Sequence, residues 1–400
     1  RNHSSAASDV YKRQVLSLLL SRSAGDDLLP DDKAILWHSL PSQVCQTVAR
    51  NTCENTLAIR EGAEMKAIGF NQPRAIEDVH ALEDIQLDLP SPGPRDLLVA
   101  VQAVSVNPID TKLRQRPLEQ PGYRVLGFDA AGVVEAVGAE VENFKAGDRV
   151  WYAGAVQRQG SNAQHQCVDE RLVARKPDSL GMQEAAALPL TALTAWEALE
   201  DQLGFQPGQC EGKNVLVIGG AGGVGSIAIQ LAAHHFGLKV ITTAGRETSA
   251  NWCQSLGAHH IVDYRKPLLP QLEAIGCPQI DGIFITQNLD DYWATACQAV
   301  APFGGICAIV DARAPLDLNP LKAKSARFSW EFMFTRAMFA TDMQRQGDIL
   351  TQLSALVDQG KIQSTVSEGL GTINAANLKE AHRRLESGQT TGKLVLAGWE

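Results

Sequence analysis

Seven residues near the middle of the chain have the type and spacing to hold a phosphate ester: Gly219-Gly220-Ala221-Gly222-Gly223-Val224-Gly225. Gly220, Gly222 and Gly225 fit the pattern G-x-G-x-x-G, in which the absence of side chains lets the backbone turn tightly and approach a pyrophosphate. The pattern alone is common. Here it follows a short apolar run, 215–218, and opens a helical stretch, 223–236, with apolar residues at Ile227, Ile229 and Leu231. A helix starting there presents unpaired N–H groups and a partial positive charge to an anion. Gly220, Ala221, Gly222, Gly223, Val224 and Gly225 are therefore the predicted phosphate-binding residues of a βαβ unit. The bland alternative is a glycine-rich turn that binds nothing.

The next strand narrows the ligand. A site for NAD commonly carries Asp or Glu at the end of the second strand, where it accepts a bond from the ribose 2′-hydroxyl. In this chain that strand runs into Thr242-Thr243-Ala244-Gly245-Arg246. Ala244 offers no acceptor, whereas Arg246 carries a fork of donors matched to a 2′-phosphate. The expected cofactor is NADP(H). Two other readings stay open: Arg246 as a solvated surface residue, and the adjacent Glu247 as a ribose partner.

These residues need a scaffold. From about residue 190 to 325, helices alternate with short buried strands, the rhythm of a parallel sheet covered on both faces. The expected helices include 193–203, 249–256, 268–275 and 292–300; the expected strands include 239–243, 260–263, 282–286 and 305–310. Residues 65–189 read differently, as short strands between turns (97–106, 127–137, 148–152 and 168–176), which suggests a partly open β-barrel. Beyond residue 325, helices are expected over 330–343, 348–359 and 374–387, and a final strand over 392–397. Residues 1–64 show no sustained period, and at Met65 an alternating strand pattern begins. The first 64 residues are accordingly read as an extension outside the fold, with a regulatory segment as the alternative.

Bulk properties limit the function classes. The net charge of −9 argues against nucleic acid as the main ligand, because a phosphate-binding surface normally carries a basic excess. The 8 cysteines contain no C-x-x-C pair and read as reduced, mostly buried thiols of a cytoplasmic protein. The early apolar run 15–20 is too short for a secretory signal core, and no run approaches the length of a membrane span.

Four stretches together resemble a known family: Asn107-Pro108-Ile109-Asp110, Gly127-Phe128-Asp129-Ala130-Ala131-Gly132, Ala185-Ala186-Ala187-Leu188-Pro189-Leu190-Thr191, and the glycine turn. Their order and spacing are similar to those of quinone oxidoreductases of the medium-chain dehydrogenase/reductase superfamily, and in particular to the group called zinc-type alcohol dehydrogenase-like proteins. Val150-Trp151-Tyr152-Ala153-Gly154 and Trp330-Glu331-Phe332-Met333-Phe334-Thr335-Arg336 also look typical of that group. The resemblance covers residues 65–400. It implies an α/β architecture: a GroES-like β-barrel catalytic domain over 65–189, a Rossmann doubly wound parallel sheet over 190–325, and a return segment, 326–400, that completes the catalytic domain. It also implies a homodimer.

Zinc-dependent members of this superfamily take a Cys ligand at the position of Asn107 and a His at that of Phe128, and a structural zinc lobe needs four clustered cysteines. Only Cys167 falls in that region, so no metal site is expected. His234-His235 and His259-His260 are adjacent pairs whose side chains diverge on a helix or strand, which favours ordinary surface or core histidines. Without a metal to polarise an alcohol, the natural acceptors are quinones and α,β-unsaturated carbonyls, whose conjugation spreads the charge that arrives with a hydride. Asn107 is the first candidate beside the reacting atoms, with a turn-capping role as its alternative. Lys112 and Tyr152 are candidate proton donors, Tyr152 placed by its strand near the cleft rim. The resemblance puts Thr191 at the nicotinamide ribose and Tyr264 near the adenosine phosphate. Asp129 reads as a partner for a buried base, and the aromatic group Phe328, Trp330, Phe332 and Phe334 as core, interface or substrate wall. Two competing functions remain: a zinc alcohol dehydrogenase, and an NADPH-binding protein with vestigial chemistry, crystallin-like or RNA-binding.

Overall fold

In a computed structural model the chain is described over residues 63–400. The expected extension over 1–64 lies, save for its last two residues, outside the described residues. Glu64 already belongs to the first strand, and the Ala63 carbonyl accepts the Leu89 N–H at 2.8 Å.

Three sheets organise the described residues. Strand β1 (Glu64–Phe70) pairs antiparallel with β2 (Glu83–Asp88) and with the short β4 (Arg124–Val125). The second sheet is built on β3 (Asp96–Ser105), which pairs with β5 (Ala130–Val137) and β7 (His165–Asp169). Beyond β5 lie β6 (Arg149–Tyr152) and β8 (Val173–Arg175). The expected strand 168–176 is thus two strands, because a one-turn helix, Glu170–Leu172, capped by the Asp169 carboxylate, breaks the ladder. Two strands from the far end of the chain complete this sheet: β15 (Val366–Gly369) and β16 (Lys393–Ala397), the latter antiparallel to β3. The mixed α/β class is as expected, with an antiparallel GroES-like part.

The third sheet is wholly parallel, with spatial order β11-β10-β9-β12-β13-β14. Its strands are β9 (Asn214–Ile218), β10 (Lys239–Ala244), β11 (His260–Asp263), β12 (Ile280–Ile285), β13 (Val300–Ala308) and β14 (Arg327–Trp330). Numbered within the sheet this is 3-2-1-4-5-6, the doubly wound order in which ligands bind outside the carboxyl ends of the two central strands. Those two strands are β9 and β12, and the glycine turn leaves the carboxyl end of β9. Both faces of the central strands are buried, which accounts for their continuous apolar runs.

Two boundaries differ from the sequence reading. The first helix of this unit starts at Pro189 and runs to Glu197, with a wider turn continuing to Gln202. Proline at its first turn lacks the N–H that would be unpaired there anyway. The parallel sheet also extends past residue 325, since β14 pairs with β13 through Phe328↔Ile306. The continuous helix expected over 330–343 is therefore absent. Trp330 ends a strand, only Thr335–Met338 is helical, and Ala340 and Asp342 adopt φ of 48° and 47°.

Candidate active site

Asn107 ends the run that follows β3 and caps the helix Pro108–Arg114. Its own N–H donates to the Asp110 carboxylate at 2.7 Å, while its side-chain amide turns away from the helix end. Asp110 also accepts the Gly127 N–H at 3.1 Å, so this carboxyl ties the Asn107 turn to the Gly127-Phe128-Asp129 turn. Burial pushes the Asp110 carboxyl up to about 7, against the pull of those two N–H donors and of Lys393.

The Asn107 amide reaches Asp129. Its Nδ2 donates to Asp129 Oδ2 at 2.8 Å, and the Ser105 hydroxyl donates to the same oxygen at 2.7 Å. The other oxygen, Oδ1, accepts the Leu190 N–H at 2.8 Å, in the first turn of the helix Pro189–Glu197. One carboxylate therefore joins the two units, at a helix end suited to negative charge.

The base that faces Asp129 is Lys393, the first residue of β16. Its ammonium donates to the Val106 carbonyl at 2.9 Å, to Asp129 Oδ2 at 3.1 Å and to Asn107 Oδ1. All three of its protons are used. Lys393 is 3% exposed and Asp129 0%, so this is a buried, fully hydrogen-bonded ion pair. Sequence reasoning expected a basic partner for Asp129 without finding it. The available signal was a lysine heading the otherwise apolar strand Leu394-Val395-Leu396.

The cluster adjoins the glycine turn. A Cβ built on Gly223 would lie 2.9 Å from the Lys393 stem and 3.3 Å from the Thr191 methyl. Thr191, in the first turn of the helix rather than before it, gives its hydroxyl to the Leu188 carbonyl at 3.1 Å. The N–H of Gly392 donates to the Ala221 carbonyl at 2.8 Å.

The turn itself has the backbone of a pyrophosphate cradle. Gly219 adopts φ +90°, and Gly222 caps the helix Gly223–Gln230. A Cβ on Gly220 would lie 1.9 Å from Thr242 Oγ1, and one on Gly225 would lie 2.2 Å from the Gly219 carbonyl oxygen. Ala221, Gly222, Gly223 and Val224 are half-exposed, and the first N–H groups of a helix have no partner within it. A dinucleotide fits this cradle.

At the other end of the cradle, Ala244 closes β10, and Gly245 lies under the Tyr264 ring, 2.5 Å from where its Cβ would be. Exposed Arg246 donates to the Gln389 carbonyl at 3.1 Å. Arg246 and Tyr264 thus flank one end of the turn, and Asn107, Thr191 and Lys393 the other.

Two predicted donors are placed differently from one another. Lys112 is exposed and lies 3.9 Å from exposed Asp311, three residues beyond β13, so the pair links the helix Pro108–Arg114 to the parallel-sheet unit. Tyr152 is not on a rim. It is 1% exposed inside the β-rich unit, paired with Ala130 and Val173, and its hydroxyl has no partner among the described residues. Burial raises its pKa, so the hydroxyl is a poor acid. Strand alternation gives two faces and does not say which is solvent, and Tyr152 points inward.

The aromatic residues divide. Phe128 stacks edge-on with buried Phe334 at 5.1 Å, and Phe334 with exposed Phe332 at 5.4 Å, a line of rings running from Asp129 toward solvent. Phe328 and Trp330 belong to β14 and pack near Trp293. His235 stacks on Trp196 at 4.5 Å, and His259 accepts the Val240 N–H at 3.0 Å, both packing roles.

The residues at the expected metal positions do not fit zinc. An amide and a phenyl ring stand where thiolate and imidazole are needed, and an ammonium points into the same cluster. Among the described residues no group of three His, Cys, Asp or Glu side chains is arranged to hold a metal.

Comparison with known proteins fits this geometry. Residues 93–195 match the alcohol dehydrogenase GroES-like domain, and residues 256–396 the zinc-binding dehydrogenase family. The chain is 42% identical over 335 residues to a zinc-type alcohol dehydrogenase-like protein of Staphylococcus aureus, covering 83% of this chain and 99% of that one. The chain belongs to the medium-chain dehydrogenase/reductase superfamily. Another relative within it is 2-methylene-furan-3-one reductase of Solanum lycopersicum, 30% identical over 368 residues, covering 89% of this chain and 85% of that one. Among solved structures, a putative zinc-dependent alcohol dehydrogenase from Rhizobium etli superposes with a TM-score of 0.82 at 46% identity, covering 84% and 99% of the two chains. The Escherichia coli quinone oxidoreductase complexed with NADPH gives 0.71 at 25% identity, covering 83% and 100%. Membership makes this chain an oxidoreductase with a nicotinamide cofactor. The zinc in the relatives' names is not matched by ligands at Asn107 and Phe128.

Proposed function

We propose that the protein reduces quinones or α,β-unsaturated carbonyls with NADPH, without a catalytic metal. The observation that carries this reading is the Asn107–Asp129–Lys393 network, which fills the expected metal position with hydrogen-bonding groups next to the dinucleotide cradle. The relatives named for enone reduction and the quinone oxidoreductase complexed with NADPH support it.

The residues divide the work along the cradle. Gly220, Ala221, Gly222, Gly223, Val224 and Gly225 receive the pyrophosphate on backbone N–H groups. Arg246 exchanges the Gln389 carbonyl for a 2′-phosphate, and Tyr264 flanks the adenosine. The cofactor supplies a hydride. Thr191 and Asn107 border the reacting end, where their burial excludes water and strengthens each polar contact. Among the described residues one Nδ2 proton of Asn107 has no acceptor, and it is offered to the acceptor oxygen. The acceptor gains the hydride at its conjugated carbon or ring, and a proton reaches it from solvent, with exposed Lys112 as a candidate to relay it.

The test is oxidation of NADPH and NADH with a panel of quinones, enones and simple aldehydes in excess chelator. Turnover of quinones or enones is expected, chelator-resistant and favouring NADPH. Arg246→Ala should lower kcat/KM for NADPH by roughly 10–100-fold, the scale of a charge-assisted bond, and leave NADH almost untouched. Activity confined to simple aldehydes with NADH, and abolished by chelator, would sink the reading.

A further inference from the structure

Lys393 has no assigned role, and its surroundings point to one. A buried lysine–aspartate pair is weak grounds for stability, because an apolar pair of similar volume often stabilises a fold as well or better. The strand it heads is apolar and already anchored by β3 through Val395↔Ser105. What the ammonium supplies, together with the Asp129 carboxylate, is direction. The Asn107 amide has two orientations related by a half-turn about its last torsion. In the observed one, Oδ1 accepts from Lys393 and Nδ2 donates to Asp129. The flipped orientation would set Nδ2–H against the ammonium and Oδ1 against the carboxylate, losing two charge-assisted bonds and creating two repulsive contacts.

We propose that Lys393 is a positioning residue: by accepting no orientation of the Asn107 amide but one, it keeps the remaining Nδ2–H of Asn107 permanently presented as a donor. The same side chain rests against Gly223, and Gly392 before it is bonded to Ala221, so the donor is registered against the cofactor turn as well. This inference rests on the reductase reading for its effect on rate, but its geometric content does not depend on it.

The test pairs Lys393→Met, which keeps the stem and removes the charge, with Asn107→Ala and the double variant. Lys393→Met should bind NADPH, followed by its fluorescence, within about threefold of wild type, while kcat falls at least about tenfold, as expected for a lost oriented donor. In the double variant the kcat loss should match that of Asn107→Ala alone, because residues acting through one another are not additive. A second readout needs no turnover. With 15N-asparagine labelling, the Asn107 side-chain amide is identified by its disappearance in Asn107→Ala. It should be one dispersed pair in wild type and move toward the solvent-averaged region in Lys393→Met.

Additive losses, or an Asn107 amide signal unchanged by Lys393→Met, would overturn the proposal. A wild-type protein inert toward every acceptor would instead reject the reductase reading and leave the amide signal to decide this one. Should Lys393→Met fail to fold, Asp129→Asn removes the other half of the orienting pair and should release the same signal.

Discussion

At the scale of single residues the site is a set of competing demands on a few buried polar atoms. Asp110 shows how they are resolved. It is buried, and its raised pKa means that the folded protein retains a proton that the unfolded chain has lost. Unfolding between about pH 4 and about pH 7 therefore releases a proton, and rising pH through that window favours the unfolded state. Asp110→Asn does not titrate. Its stability relative to wild type should improve steadily as pH rises from about 4 to about 7 and level off above, as read by urea unfolding at a series of pH values. A flat difference across that window would mean that Asp110 is ionised throughout. What was legible in the sequence at this scale was whatever depends on near neighbours. The turn-capping alternative for Asn107 was one such reading, and the cap is completed by Asp110 three positions on. Lys393 was invisible because its partners lie 286 and 264 positions away. Tyr152 was misplaced because alternation fixes that neighbours oppose one another, not which of them faces the core.

At the scale of elements, the strand–turn–helix from β9 to the helix Gly223–Gln230 was readable because its requirements are steric and local. Gly225 packs its missing side chain against the Gly219 carbonyl and the Gly220 backbone. Gly225→Ala places a methyl where no flexible side chain is able to yield, so it should cost about 1–3 kcal/mol of stability and abolish most NADPH binding. Thermal unfolding and fluorescence titration measure the two effects. Retention of tight binding would show that the turn is not the cradle. The segment 330–343 was misread as one helix for the opposite reason. Its fate is decided by the pairing of β14 with β13, by the Glu331–Ala308 backbone bond, and by buried Gln346 gripping the Met333 carbonyl, all of them long-range. Glu331 lies against Glu197 in the same region, and burial beside that second carboxyl raises its pKa well above the usual carboxylate range.

At the scale of the whole molecule, the class of fold and the division into an antiparallel and a parallel part followed from hydrophobic period. The crossing of the chain between the two parts did not, because β14, β15 and β16 are all short and distribute themselves over two sheets. Among the described residues β14 is one outer strand of the parallel sheet, ending in exposed Trp330 and followed in the chain by exposed Phe332 and Phe339. An open, apolar strand edge invites a second strand, and the expected homodimer is proposed to form there. Sedimentation equilibrium should give twice the chain mass, and Trp330→Glu should shift the protein toward monomer. A wild-type monomer at micromolar concentration would reject this proposal.

The position of Lys393 within the chain has a consequence for how the molecule comes into being. Every other member of the polar network, and the whole dinucleotide turn, is synthesised before it. The ladder that seats it, β16 on β3, joins Val395 to Ser105 and is among the most distant pairings in the fold. Such distant contacts close late, after the local ones have formed. On the proposed role of Lys393, the Asn107 amide is oriented only once the last strand of the chain has docked on β3.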